Sequence, residues 1–365
     1  MLRVLPGCVL ALLLPQFIMA QDRVTYIDHS SKTGSTLLRS GSISSEDPGK
    51  VTITSGDNRR SDIPVSDIVD VVYDGEPTAE MNAARTAERE HKFDVALAGY
   101  ADALKKVAAD KKLLRRHLEY KLAEMRTAQA DAGANPATAM DALRQFAKAY
   151  PDSRQGLSCY ENLGRLLVAA RQPVTEVVEA LAQLRSKFGS DNKEVASRCD
   201  LLRSDLIMQE LELIALKDGM DAAKGKAASA GKSIAELVTI ADRSVQPELQ
   251  ARLTYCQALA SPGPALAAWE SQLKSTEDPR SRAGIYLTRG DFYRLTQNYK
   301  EAMWDYLWVD TVYFADRNQQ AKALYQLIDV FDKLGDAAKS RDCKERLAND
   351  GRLRDTRYQK QGVAK

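Results

Sequence analysis

The sequence contains few of the residues that catalytic and metal sites use most often. Its 365 residues include only three His and five Cys. His29, His91 and His117 are far apart in the chain, and we expect all three to be ordinary surface residues. The His-Glu-x-x-His, Gly-x-Ser-x-Gly and Cys-x-x-Cys motifs are absent from the sequence. We therefore expect no catalytic residue, no metal site and no cofactor.

The chain also lacks an excess of charge of either sign. It has 52 Lys and Arg against 50 Asp and Glu, a formal net charge of +2. Proteins that bind nucleic acids generally have a large basic excess, so we do not expect a nucleic-acid partner. Hydrophobic residues make up 44% of the chain, which is enough for a sizeable buried core.

Long apolar runs are absent after the first twenty residues. A basic start at Arg3, an apolar run over Val9–Leu14 and a small residue at Ala20 are typical of a secretory signal peptide. We expect residues 1–20 to be removed on export, which leaves a soluble protein of the periplasm or cell envelope. No later run approaches about 18 apolar residues, so no transmembrane segment is expected.

Cysteine is scarce as well. Once Cys8 is removed with the signal peptide, Cys159, Cys199, Cys256 and Cys343 remain. Export permits disulfides, and Cys159 and Cys199 are one helical repeat apart, so a disulfide between them is one alternative. A core of this size needs no covalent staple, and we favour four buried, unpaired thiols.

Residues 21–76 alternate between apolar and polar side chains, which is the pattern of β-strands. Glycines and Pro48 separate the alternating segments as turns. Five short strands are predicted, with one helical turn at Pro64–Asp67 before the last: Arg23–Ile27, Thr36–Arg39 with Ser42–Ser44, Lys50–Thr54, Ser61–Ile63 and Ile68–Tyr73. This order resembles SH3-like barrels, and the resemblance implies a small all-β, barrel-like domain used for docking.

From residue 77 onward, apolar residues recur every three or four positions, which predicts helices. A helix start is predicted at Pro77-Thr78. Pro and Gly interrupt the later pattern at Gly133–Pro136, Pro151, Pro173, Gly189, Pro247, Pro262–Pro264, Pro279 and Gly335. The segments between these breaks predict a mainly α chain, with an array of helical hairpins over residues 77–348. Residues 349–365 follow as a basic tail, which we expect to be frayed.

One stretch of this helical region carries a specific pattern of small and aromatic residues. The pattern is formed by Ala283, Gly290, Tyr293, Tyr299, Ala302, Tyr306 and Val309. Its register also fits Ala84, Ala87, Phe93, Ala96, Tyr100 and Ala103, and near the end Leu327, Phe331, Gly335 and Leu347. The spacing resembles the 34-residue tetratricopeptide repeat, and Tyr150-Pro151-Asp152-Ser153 resembles a junction in exported bacterial members of that family. The resemblance implies an α-α superhelix over residues 77–348, with a weaker match between 190 and 280.

A segment rich in Gly and Lys, Gly225–Ser233, is similar in composition to a phosphate-binding loop. That motif has four residues between its glycines, whereas five separate Gly225 from Gly231. The motif also follows a buried strand, whereas an amphipathic helix is predicted over Leu206–Leu216. We therefore interpret the segment as a flexible, basic connection between two helices.

Aromatic residues are few overall and are concentrated in one segment. Eleven of the 24 aromatic residues (3 Trp, 14 Tyr and 7 Phe) lie between Tyr286 and Phe331. Trp304 and Trp308 are four residues apart, so they share one helix face, outside the usual core positions of the repeat. Two interpretations are open. The pair packs against the next repeat, or it anchors a partner protein, because Trp is enriched at interface hot spots.

The resemblance to the tetratricopeptide family also implies a concave groove lined by the first helix of each repeat. Carried over position by position, that groove is lined by Arg85, Arg89, Asp291, Arg294, Tyr325, Asp329 and Lys333. Their mixed charges identify no ligand class. They do not resemble the carboxylate clamp of the chaperone-binding members of the family.

The expected function is that of a non-enzymatic, exported adapter or scaffold. We expect it to bind partner proteins of the cell envelope through its helical surface. One alternative is a protein that binds envelope polymer or hydrolyses it through two carboxylates. A structural homo-oligomer assembled through the repeats is another alternative.

Overall fold

The computed structural model describes residues 21–28, 35–354 and 356–364. The predicted signal peptide and His29 lie outside these residues. In the described part of the chain, an antiparallel β-sheet is followed by packed helices. The prediction of a mainly α chain with a small β region at its N-terminal end is therefore confirmed.

The sheet has the strand order β4-β3-β2-β1-β5, and all of its pairs are antiparallel. The strands are β1 (Asp22–Asp28), β2 (Ser35–Glu46), β3 (Lys50–Thr54), β4 (Arg60–Pro64) and β5 (Ile68–Val72). A 3-10 turn at Val65–Asp67 precedes β5, as predicted. The predicted segments before and after Gly41 form a single strand, β2, and no turn occurs at Gly41. Glycine suits this position because the backbone of β3 lies close to it. A Cβ atom at Gly41 would overlap the Thr54 carbonyl on β3.

Fifteen α-helices follow in the part of the chain that the structure describes. They are α1 (Thr78–Arg89), α2 (Phe93–Lys106), α3 (Lys112–Asp131), α4 (Pro136–Ala149), α5 (Gly156–Ala169), α6 (Thr175–Phe188), α7 (Lys193–Lys217), α8 (Met220–Ile240), α9 (Gln246–Ala260), α10 (Pro262–Ser275), α11 (Pro279–Leu295), α12 (Tyr299–Thr311), α13 (Arg317–Lys333), α14 (Ala337–Asn349) and α15 (Arg357–Ala364). The Pro and Gly breaks expected from the sequence all fall at helix ends.

Several helices begin where a side chain can accept a hydrogen bond from the first turn. Asn135, Asn192, Asp278 and Asp316 each cap a helix in this way. Prolines occupy the first turns of α4, α9, α10 and α11, where a missing N–H costs nothing. The sequence therefore determines the ends of these helices locally.

Consecutive helices pack as pairs, and a second set of contacts joins alternate helices. From α5 to α13, each odd-numbered helix also packs against the next odd-numbered helix. We call the row α5, α7, α9, α11 and α13 the odd-helix layer. Stacking of helical pairs through such a row buries apolar side chains between successive pairs.

The sheet and the first helices share one hydrophobic core. Val24 and Ile53 of the sheet are buried in the same cluster as Met81 of α1, Tyr100 of α2 and Leu118 of α3. All five strands contribute buried side chains to this cluster. The sheet is therefore fixed to the start of the helical array by apolar contacts.

Three expectations about individual segments are wrong. Gly225–Ser233 lies inside α8, because its Ala-rich sequence favours helix. The tail is not frayed, since a 3-10 turn at Gly351–Leu353 leads to α15, which packs on α13 and α14. His117 is buried beside Tyr73, with ring centroids 5.3 Å apart.

The four described cysteines are buried and unpaired, as favoured from the sequence. Burial raises the pKa of each thiol, those of Cys159, Cys199, Cys256 and Cys343, to about 12. The thiols are therefore protonated at neutral pH and behave as small apolar core groups.

Candidate functional site

Trp304 and Trp308 lie on the outer face of α12 and are exposed to solvent. The exposed fractions are 59% for Trp304 and 44% for Trp308. Val312 and Phe314, just beyond the end of α12, are exposed to a similar extent. Large apolar side chains are usually buried, so four exposed ones in eleven residues are a distinctive surface feature. We call these four residues, together with Tyr286 and Tyr313, the aromatic patch.

The rings of the patch are ordered by stacking. Tyr286 of α11 is stacked on Trp308, with centroids 5.9 Å apart and an interplanar angle of 15°. Its centroid is 5.6 Å from that of Tyr313, at 21°. Partial burial raises the pKa of Tyr286 above its usual value. The three rings form a preorganised surface, and a rigid aromatic surface loses little conformational entropy on binding.

The positive charge of Arg289, next to the patch, is neutralised within the chain. The Arg289 guanidinium lies 5.5 Å from the Tyr286 ring centroid, and it is bound to Asp305 by hydrogen bonds of 2.8 and 2.6 Å. Burial raises the pKa of Asp305, while the bonds from Arg289 oppose that effect. The patch therefore presents aromatic and aliphatic surface beside a compensated ion pair.

The predicted groove residues on α11 and α13 make contacts between helices. Asp291 accepts hydrogen bonds of 2.7 Å from the Tyr306 hydroxyl and from Lys322 Nζ. Arg294 binds Glu212 of α7, and its Nη1 lies 3.9 Å from Asp329 Oδ2. These residues come together on one face of the odd-helix layer, where they connect its helices.

The same face is covered by α15. The ring of Tyr325 on α13 lies 5.5 Å from the ring of Tyr358. Arg357 Nη1 lies 3.3 Å from Glu161 Oε1 of α5. The C-terminal helix thus bridges the two ends of the odd-helix layer.

The remaining predicted groove residues lie elsewhere. Arg85 of α1 is paired with Glu76, at 3.1 Å, and the exposed Arg89 donates a 3.2 Å hydrogen bond to Thr86. Lys333 is exposed in the last turn of α13. The register from the repeat resemblance therefore selects residues with three different surroundings. Only Asp291, Arg294, Tyr325 and Asp329 come together.

A cluster of buried polar side chains joins the sheet to the helices, and no sequence motif predicts it. The Glu46 side chain has 0% exposure and binds both Arg116 of α3 and Arg154, which follows α4. Arg154 and Tyr73 are 3.3 Å apart at their polar ends. Burial lowers the pKa of the neighbouring His117 and raises that of Tyr73.

A shallow polar cleft lies between α8, α9, α10 and α11. Its lining contains two acidic residues, Glu277 and Asp278. Asp278 Oδ2 accepts a 2.7 Å hydrogen bond from the Ser281 backbone N–H as the cap of α11. One of the two carboxylates is thus engaged in holding the helix end.

Neither a metal site nor a membrane-spanning helix occurs among the residues that the structure describes. No group of three or more His, Cys, Asp or Glu side chains within residues 21–28, 35–354 and 356–364 is placed to hold a metal ion. In the same part of the chain, no helix has the length and apolar character needed to cross a membrane.

Comparison with known proteins found no family model and no curated protein that matches this chain.

Proposed function

We propose that this protein is a non-enzymatic, exported adapter of the tetratricopeptide-repeat type. It binds a partner protein of the cell envelope through the aromatic patch on α11 and α12. The observation that carries the proposal is the exposure of Trp304 and Trp308 beside the stacked rings of Tyr286 and Tyr313. The N-terminal sheet, in this proposal an SH3-like barrel, serves as a docking module.

Trp and Tyr dominate interface hot spots because they bury a large area with few rotatable bonds. Rings already held by stacking lose less freedom when a partner covers them. Since Arg289 is neutralised by Asp305, the centre of the patch suits an apolar partner surface. Arg282, which donates a 3.3 Å hydrogen bond to the Tyr313 hydroxyl, lies at its edge.

Capture of partners by the mature chain tests the proposal. Residues 21–365 are immobilised, crosslinked in envelope lysate and analysed by mass spectrometry. A second sample carries Trp304→Ala with Trp308→Ala. The matched control carries Leu216→Ala with Ile240→Ala, which removes exposed apolar side chains outside the patch. All variants are first checked for native helicity by circular dichroism.

The adapter function is supported if one or two proteins are captured in near-stoichiometric amounts by the wild type and the control and are lost from the Trp variant. Equal capture by all three samples would show that the patch is not the anchor. Recovery of cell-wall fragments alone would favour polymer binding. Recovery of the chain itself alone would favour self-assembly.

Export is tested separately. The intact mass of the chain purified from the envelope fraction should correspond to a mature protein that begins at Gln21. A chain that retains residues 1–20 and is recovered from the cytoplasm would contradict the proposed location.

A further inference from the structure

The surface that α15 covers has a defined chemical character. It is formed by residues from four helices of the odd-helix layer, and we call these residues the α15 seat. The seat comprises Glu161 of α5, Asp205 of α7, Asp291 of α11, and Lys322 and Tyr325 of α13. Asp291 is already paired with Lys322, and Asp205 with Arg252, so Glu161 is the carboxylate that faces the segment on the seat. That segment begins with a basic and an aromatic residue, Arg357 and Tyr358.

The contacts pair each of these two residues with a complementary group. The Arg357 guanidinium faces the Glu161 carboxylate at 3.3 Å. The Tyr358 ring is tilted against Tyr325, with centroids 5.5 Å apart. Asp205, Asp291 and Lys322 provide the other charges around Tyr358. Charge and shape therefore select for an Arg followed by an aromatic residue.

A third contact selects for a small residue. Gly362 is buried, and a Cβ atom added to it would lie 2.5 Å from Leu347 Cδ2 and 3.6 Å from Tyr325. A bulky side chain at this position has no room unless Leu347 moves. The seat thus accommodates an Arg-Tyr pair and a Gly four positions after the Tyr.

The helix on the seat is intrinsically weak. It has 8 residues, and isolated helices shorter than about 12–15 residues are marginal in water. Its contacts with the rest of the described chain are few: one ion pair from Arg357, the ring of Tyr358 on Tyr325, and the close approach of Gly362 to Leu347. It is also the last element of the described chain, so its release does not require any other helix or loop to move. Elements of this kind open at low free energy.

We propose that the α15 seat is a binding site for a helical segment of a partner protein with a basic–aromatic–glycine pattern, and that α15 occupies it in cis. A partner segment of this chemistry must then compete with α15. The seat is separate from the aromatic patch on α12, so this inference does not rest on the proposed function of that patch.

The test uses a peptide of residues 354–365 as a probe in trans. The peptide carries a fluorophore and is titrated with the full mature chain or with a chain that ends at Arg354. Saturable binding to the shortened chain is expected, with a Kd of about 1–100 μM. The full chain should bind at least tenfold more weakly, because α15 already occupies the seat. Failure of the peptide to bind a folded shortened chain would overturn the proposal.

Variant peptides distinguish this recognition from attraction between bulk charges. Replacement of Arg357 or Tyr358 by Ala should weaken binding at least tenfold, and a scrambled peptide of the same composition should not bind. Equal binding of the scrambled peptide would overturn the proposal. The shortened chain with Trp304→Ala and Trp308→Ala should bind the native peptide normally.

A full-length variant covers the case in which the shortened chain does not fold. Gly362→Leu leaves every charge in place but brings a bulky side chain against Leu347. We expect faster hydrogen exchange across Arg357–Ala364 in this variant, together with gained binding of the native peptide. Gln359→Leu, at a partly buried position of the same helix, is the matched control and should retain the exchange of the wild type. If the Gly362→Leu variant showed the hydrogen exchange of the wild type and did not bind the peptide, the proposal that α15 occupies the seat in cis would be contradicted.

Discussion

The Tyr73 hydroxyl donates a 2.6 Å hydrogen bond to Glu46 Oε1, and these two residues connect the end of β2 to the segment that follows β5. The same carboxylate binds Arg116 and Arg154. One fully buried acid therefore holds the sheet, α3 and the connection between α4 and α5 together. A buried charge is tolerated only when its partners are all present.

Removal of the charge on Glu46 should be strongly destabilising. Glu46→Gln retains the size of the side chain but leaves two guanidinium groups without their counter-ion. We expect a loss of about 3–5 kcal/mol in the free energy of unfolding, the usual cost of breaking a buried pair. The measurement is urea denaturation followed by circular dichroism.

The matched control for this variant is Glu176→Gln, which changes an exposed pair with Arg144. Exposed pairs contribute less than about 1 kcal/mol. Comparable losses in the two variants would contradict the assigned role of Glu46.

His117 should make the stability of the protein depend on pH. Burial lowers its pKa in the folded chain, and the positive charges of Arg154, Lys121 and Arg85 add to that effect, while Glu124 opposes it. The unfolded chain has a His pKa of about 6.5 and binds the proton first. The stability contributed by neutral His117 is therefore complete above about pH 6.5 and is lost as the pH falls below that value.

The size of this effect follows from proton linkage. Between pH 7.0 and pH 5.5, His117 should reduce the free energy of unfolding by about 1 kcal/mol. His117→Phe retains a ring beside Tyr73 but does not titrate, so its urea midpoint should change less over this range. The control is His91→Asn, because His91 is exposed and Asn readily adopts its φ of 57°. The proposed role of His117 is wrong if the Phe variant has the same pH dependence as the wild type.

The sequence predicted local features well because their causes are local. Proline in a first turn and an Asn or Asp at a helix start act within a few residues, so the breaks at Pro136 and Pro279 were found. Strand alternation likewise identified the sheet. The seven-residue strand β1 and the five-residue β3 agree with the predicted segments to within one residue at each end.

The features that the sequence did not predict depend on contacts between distant segments. Arg116 and His117 lie in a run of charges that is typical of a solvated helix face, but the sheet packs on that side of α3. Likewise, nothing local to α15 shows that Glu161, 196 residues away from Arg357, will provide its partner. Hydrophobic periodicity identifies a buried face only when that face is apolar.

Glycines in two helices should respond to substitution in opposite directions. A Cβ atom at Gly290 of α11 would lie 2.8 Å from the Tyr306 ring on α12. Gly290→Ala should therefore reduce stability by about 1–3 kcal/mol through overpacking. Gly225, in the exposed part of α8, has nothing within 4 Å of an added Cβ atom. Gly225→Ala should increase stability by about 0.5–1 kcal/mol, because Ala is the better helix former.

Urea denaturation of the two variants beside the wild type measures both effects. Stabilisation by Gly290→Ala would show that α11 and α12 are less closely packed than described. Destabilisation by Gly225→Ala would show that residues 225–233 are not helical in solution, as a flexible connection would require.

The three tryptophans should differ sharply in their access to a quencher. Trp269 has 0% exposure, and its indole N–H donates a 3.1 Å hydrogen bond to the Ala251 carbonyl. Trp304 and Trp308 are exposed. Replacement of both exposed residues by Phe leaves Trp269 as the only emitter. Its emission should lie at a shorter wavelength than that of the wild type, and acrylamide should quench it several-fold less efficiently.

The reciprocal variant, Trp269→Phe, reports on the patch alone. It should emit at longer wavelength and be quenched more efficiently than the wild type, because both remaining indoles contact water. If instead the two variants were quenched equally, Trp304 and Trp308 would be covered in solution. Dilution would then identify the cover, since quenching that increases as the protein is diluted indicates that a second copy of the chain occupies the patch.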